Sequence, residues 1–216
     1  MSSATRVESA LSSYPLIKGA RDPSVENLAF PPMVPIFLAL CDRRAWKPPT
    51  QDQFARAVAA KVSTLIVSGG RSLLGPVIGR SYRAYISLVV QYHALAVLND
   101  HYALAIWDGL VDMRQKIDVL AVTDDGMSVG LELMCPTDTS LERAARKAEH
   151  APVVPIAVRR LIVSERDYVA GSYWLYRPQI LIDAVEDGAA EQRIRIARRY
   201  FDEGYSAARS DLERTL

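Results

Sequence analysis

Lys116-Ile-Asp-Val-Leu-Ala-Val122, the turn Thr123-Asp-Asp-Gly126, and Met127-Ser-Val-Gly-Leu-Glu-Leu-Met134 decide how the middle of this chain folds. Two apolar runs flank Asp-Asp-Gly, the pattern of a β-hairpin. The turn can close in two ways. A two-residue loop, Asp125-Gly126, pairs residues whose numbers add to 251; it sets Asp118 against Leu133 and Glu132 against Val119, so both faces mix charge with apolar side chains. A three-residue loop, with Gly126 in the left-handed conformation, pairs residues adding to 250. Ile117 then faces Leu133, Val119 faces Leu131 and Ala121 faces Val129. One face is wholly apolar. The other carries Asp118 opposite Glu132 and Lys116 opposite Met134. A slip of one residue destroys this segregation, so the pattern selects the second register.

Side chains directly opposed across such a pair have Cβ atoms about 4.5–5.5 Å apart. Two carboxylates that close repel each other unless a proton or a cation sits between them. A hard divalent ion with oxygen ligands, Mg²⁺ or Mn²⁺, suits that position. An ion of this kind acidifies a bound water and stabilises charge growing on a phosphate. The alternative leaves Asp118 and Glu132 on a solvated outer face, where opposed like charges cost little at moderate salt.

Outward from the hairpin, residues 1–49 are punctuated by Pro23, Pro31, Pro32, Pro35, Pro48 and Pro49. They read as irregular, with one short helix over about 32–44. This arm either packs on the domain or a partner, or forms a partly disordered tail. Thr50 with Gln53 fits a capping box that opens a helix to about residue 67. Ser68-Gly69-Gly70 ends it, and Gly75-Pro76 marks a second break. Residues 79–99 read as a long helix, with Tyr82, Tyr85, Ile86, Val89, Val90, His93 and Val97 at three- and four-residue steps. Strands follow over 101–107, 116–122 and 127–134. Thr139 with Glu142 opens a helix to about 150. Residues 153–163 read as a strand that Pro155 pushes towards a sheet edge. Residues 173–184 read as a further strand and 189–212 as a C-terminal helix. The expected core is α/β: helix, three-strand antiparallel meander, helix, strand, the last step implying a parallel crossover. Residues 1–76 then form an N-terminal helical arm on the core, and 77–216 the α/β domain.

The 216 residues suit one domain with an extension. With 26 basic against 25 acidic residues and net charge +1, the chain is not a histone-like polybasic protein, although local patches can still bind nucleic acid. Cys41 and Cys135 make no disulfide framework, which points to a reducing, cytoplasmic setting. No run of eighteen apolar residues escapes charge or punctuation, and the N-terminus has no apolar signal core, so no membrane is expected. His93, His101 and His150 lack ligand spacing, which argues against zinc; His93, among apolar residues, reads as a satisfied core histidine. No P-loop, dinucleotide or nucleophile-elbow motif occurs.

The element order over about 79–163, Asp118 in the second strand and Glu132-Leu133-Met134 in the third together resemble the PD-(D/E)xK nuclease superfamily, the restriction-endonuclease-like fold. The resemblance implies that Asp118 and Glu132 hold Mg²⁺ or Mn²⁺ in a DNA endonuclease that hydrolyses phosphodiesters, as a homodimer or within a DNA-processing complex. The family's triplet normally ends in Lys, which helps activate water. Here Met134 stands in its place, and a thioether neither donates a proton nor carries charge. Three accounts of Met134 stand side by side: Lys116, across from it, reaches into the site on its flexible stem; the residue is an engineered replacement; or catalysis has been lost, leaving an inactive DNA-binding or protein-interaction module. The family often adds an acidic residue from the first helix, where this chain offers Gln91.

Other residues suit DNA phosphates. Arg80 and Arg83 open the long helix, where N–H groups point outward. Arg143, Arg146 and Lys147 share one face of the second helix, although Glu142 and Glu149 nearby also suit a solvated, salt-bridged face. Arg159, Arg160, Arg193, Arg195, Arg198 and Arg199 add basic density. Tyr173, Trp174 and Tyr176 suit either base stacking or a strand packed on the core.

Overall fold

The computed structural model describes residues 1–26, 33–63, 73–107, 117–134, 156–162 and 168–215; at 134, 162 and 201–215 it describes the backbone alone. Among the described residues the chain is mixed α/β, with six helices, a four-stranded mixed sheet and a two-stranded sheet.

The helices are α1 (Ser3–Ser12), α2 (Pro23–Glu26), α3 (Met33–Leu40), α4 (Gln51–Lys61), α5 (Leu74–His101) and α6 (Pro178–Thr215). The region before residue 50 is therefore not irregular, as the prolines suggested. In α1, Ala4, Val7 and Leu11 recur at helical spacing and are buried. Ser2 caps its start, its Oγ accepting from Thr5 N. Asp100, near the end of α5, accepts from Ser3 N and Ala4 N, each at 2.9 Å, so a carboxylate meets the positive end of α1. The capping box at α4 forms as read: Thr50 Oγ1 accepts from Gln53 N, and Gln53 Oε1 accepts from Thr50 N.

Helix α5 begins at Leu74, before the expected residue 79, because Gly75 and Pro76 fall in its first turn, where Pro costs no hydrogen bond. Its buried positions include Tyr85, Leu88, Val89, Tyr92, Ala96 and Val97, the 3–4 spacing seen in the sequence. Phe37, Phe54, Tyr85, Tyr92 and Trp107 meet around it, with neighbouring ring centroids 5.7 to 6.3 Å apart. Such pairs each contribute about 0.5–1.5 kcal/mol beyond simple burial.

The main sheet has the order β1 (Leu104–Ile106), β2 (Val119–Val122), β3 (Ser128–Met134), β4 (Ala157–Ile162). β1 pairs antiparallel with β2, β2 antiparallel with β3, and β3 parallel with β4. The meander and the parallel fourth strand, at an edge, are as expected; the helix placed over 139–150 lies outside the described residues. β5 (Tyr168–Ala170) and β6 (Tyr173–Leu175) form a separate hairpin.

The strand expected over 173–184 is corrected: it ends at Leu175, and Pro178 opens α6, eleven residues before the expected start of the C-terminal helix. Leu181, Val185 and Ala189 of α6 are buried. A Cβ added at Gly188 would lie 2.6 Å from Val129 Cγ1. The helix therefore lies close against the apolar face of β3 and leaves the Glu132 face to other neighbours.

Candidate functional site

The β2–β3 ladder pairs Val119 with Leu131, Leu120 with Gly130, Ala121 with Val129 and Val122 with Ser128. All add to 250, the register that segregates the faces. Gly126 has φ 83°, the left-handed value this turn requires. Gly126 N donates to Thr123 O, and Thr123 N donates to Met127 O, each at 2.9 Å.

The regular ladder stops at Val119. Asp118 lies in a bend, and its N–H donates to Leu131 O at 2.9 Å. Its carboxylate takes over the pairing beyond: Oδ2 accepts from Leu133 N at 2.5 Å. The expected pair Ile117–Leu133 therefore does not form. Ile117 turns over Gly130, where a Cβ would sit 2.6 Å from Ile117 Cδ1. The missing side chain of Gly130 makes room for this bend.

Asp118 is buried, 6% exposed. Its Oδ1 accepts from Nε2 of Gln91, on the long helix, at 3.0 Å. The other amide atom, Gln91 Oε1, is buried with no hydrogen-bond partner among the described residues. Buried polar atoms are nearly always satisfied, and an orphan at a polar cluster invites a ligand.

Glu132 is 2% exposed. In the parallel ladder it stands beside Arg160, and Arg160 Nε donates to Glu132 Oε2 at 2.6 Å. Arg160 itself is at the surface, its side chain 44% exposed. Arg160 thus places a positive charge beside Glu132. Arg160 was read only as part of a basic cluster. Its signal was available: of two adjacent arginines in a strand, one must point to each face. Arg159, on the α6 face, pairs with Glu191 at 2.9 Å.

The oxygen atoms of this region are the Asp118 carboxylate with the Gln91 amide against it, and the Glu132 carboxylate one residue from Leu133, whose N–H Asp118 accepts. All are oxygen, the set a hard divalent cation takes. Among the described residues no group of three or more His, Cys, Asp and Glu stands together. The third oxygen would therefore come from the amide.

The other predicted residues divide. Lys116, Arg143, Arg146 and Lys147 lie outside the described residues, and Met134 is described by its backbone alone, paired with Ile162. Arg80 and Arg83 face the N-terminal segment. Arg80 donates to Val25 O, and Arg83 donates to Ala20 O and pairs with Glu26. These contacts tie residues 20–26 to α5. Arg193 pairs with Asp125, and Arg195 with Glu191. Tyr173 and Tyr176 are buried, which removes them as base-stacking surfaces, while Trp174 is 39% exposed.

His93 is fully buried. Its Nε2 meets Glu8 Oε1 at 2.9 Å, while Nδ1 has no partner among the described residues; it is a core histidine satisfied on one side. Tyr168 Oη donates to Glu8 Oε2 at 3.0 Å. The His93 hydrogen bond is the main cause holding the Glu8 pKa below its usual value, against the opposing effect of burial. No helix of the described residues is long and apolar enough to cross a membrane.

Comparison with protein-family models, with curated proteins and with solved structures found no match for this chain.

Proposed function

We propose that the chain is a PD-(D/E)xK-type nuclease, or a nuclease-like subunit, that hydrolyses DNA phosphodiesters with Mg²⁺ or Mn²⁺. The observation that carries this reading is buried Asp118 hydrogen-bonded to Gln91, whose Oε1 has no partner among the described residues, with buried Glu132 one residue from Leu133, which donates to Asp118, in a three-strand meander extended by a parallel strand. In this reading Asp118, Glu132 and Gln91 hold the ion. When bound, the ion supplies an acidified water and a counter-charge for the phosphate. The chain's residues do the positioning. Leu133 N–H and Gln91 Nε2 fix the Asp118 carboxylate from two sides. Arg160 steadies Glu132 and, from the surface, has further guanidinium donors for a phosphate oxygen. Lys116 would orient or deprotonate the attacking water in place of the motif lysine.

The second reading, a disarmed nuclease fold that binds DNA or a partner protein, is favoured by Met134 and by the Arg160–Glu132 ion pair, which neutralises a carboxylate without metal. One set of measurements separates them. Calorimetry with Mn²⁺ should show binding to the wild type and none to Asp118→Ala. Plasmid cleavage in Mg²⁺ or Mn²⁺ should vanish in Asp118→Ala, Glu132→Ala and Lys116→Ala. Cleavage only by Met134→Lys identifies the disarmed form. Absence of both metal binding and cleavage from every variant sinks the enzyme reading.

A further inference from the structure

Helix α6 has 38 residues, about 57 Å at 1.5 Å per residue. Among the residues whose side chains are described, the buried positions of α6 all fall in its first third. Leu181, Val185 and Ala189 are buried, but over 190–200 every side chain is exposed except half-buried Gln192. The backbone remains helical to Thr215. Helices in water draw most of their stability from packing an amphipathic face, not from propensity, and the sequence carries such a face. Ala190, Ile194, Ala197, Phe201, Tyr205, Ala208 and Leu212 recur at steps of three and four, which at 3.6 residues per turn makes one stripe. Ile194 on that stripe is 55% exposed. Ile196 and Tyr200, also exposed, lie off it.

We propose that this half of α6 pairs antiparallel with the same segment of a second copy of the chain, centred near Phe201. Charge selects the direction. Residues 192–200 carry Arg193, Arg195, Arg198 and Arg199 and no acidic residue. Residues 201–213 carry Asp202, Glu203, Asp211 and Glu213 against Arg209 alone. A parallel pair would set the four arginines beside four arginines; an antiparallel pair centred on Phe201 sets Arg198 and Arg199 beside the partner's Asp202 and Glu203. Side-chain size agrees. An antiparallel register centred on Phe201 puts Ile194 level with Ala208, Ala197 with Tyr205 and Ala190 with Leu212, a larger residue against a smaller each time. Arg198 and Asp202 border the stripe on one flank. Equal flanks meet in an antiparallel pair, so Arg198 lies near the partner's Asp202, and the reverse.

The test uses the full chain. Sedimentation velocity across a hundredfold concentration range should give a dimer, and the double substitution Ile194→Asp with Phe201→Asp should give a monomer with unchanged near-ultraviolet circular dichroism. Ile194 is exposed, and both positions lie C-terminal to the buried Leu181, Val185 and Ala189. Under mild oxidation a mixture of Ala190→Cys and Leu212→Cys proteins should yield a disulfide between positions 190 and 212, identified by peptide mapping, while Ala190→Cys alone yields no 190–190 bridge. A wild type that stays monomeric overturns the proposal, as does a 190–190 bridge or a dimer that survives the double substitution. A monomer whose duplex-DNA binding disappears in Arg198→Glu with Arg199→Glu also overturns it, and makes this helix a nucleic-acid arm.

Discussion

Arg160 shows how much one side chain can set the state of a site. Its Nε donates to a carboxylate that is 2% exposed, and removing one partner of a buried charge leaves a desolvation cost behind. Arg160→Gln should therefore destabilise the metal-free protein by about 1–3 kcal/mol in urea unfolding. If the cluster takes a divalent ion, guanidinium and metal compete for Glu132, and the same variant should bind Mn²⁺ more tightly in calorimetry. Unchanged or weaker Mn²⁺ affinity would show that Arg160 and the ion do not share the carboxylate. Gln91→Leu tests the other side of the cluster. It removes both the donor to Asp118 and the orphaned oxygen, so Mn²⁺ affinity should fall at least tenfold while α5, whose other buried residues are untouched, keeps its helicity. The hairpin positions of Asp118 and Glu132 and the helix position of Gln91 are legible because strand alternation and helix spacing are local properties. Arg160 opposite Glu132 was not, because nothing local says which strand lies beside β3 or in what register.

At the scale of elements, the bend at Asp118 and the caps carry the energetics. Gly130→Ala would push a Cβ to 2.6 Å from Ile117 Cδ1, and crowding of this kind costs about 1–3 kcal/mol. Combining it with Ile117→Val, which removes that methyl, should recover part of the loss in a double-mutant cycle. Equal losses in the single and double variants would show that Ile117 does not occupy that space. Thr50→Ala should cost about 1 kcal/mol by breaking the capping box of α4, measured by thermal unfolding. That cap was readable because Thr-x-x-Gln is a local signature. The strand expected over 173–184 failed for a related reason: Ile180, Leu181 and Ile182 suit a strand or a buried helix equally. The packing of α6 against β3 decides between them, and Pro178 sits in the first turn, where its missing N–H costs no helical hydrogen bond.

At the scale of the molecule, the Glu8–His93–Tyr168 contact joins α1 to α5 and β5 and makes stability depend on pH. Hydrogen bonding from His93 lowers the Glu8 pKa in the fold below its usual value of 4.5. A carboxylate depressed on folding stabilises fully above its unfolded pKa, and loses that contribution as pH falls through the lower folded value. Unfolding free energy should therefore drop on acidification below about pH 4.5. Glu8→Gln, which removes the titrating group, should flatten that part of the curve. An identical acid limb in the variant would remove Glu8 from the account.

The sequence by itself determined the hairpin register, the turn glycine, the apolar face, the α4 cap and the body of α5. All are set by periodicity and turn chemistry within a few residues. Only the tertiary structure decided that α1 docks under Asp100, that Arg80 and Arg83 hold the N-terminal segment, that Ile117 folds over Gly130, and that Arg160 comes to stand beside Glu132. Those outcomes depend on which surfaces meet across long stretches of chain. Meeting is governed by total burial and charge compensation, and no short window of sequence contains that sum.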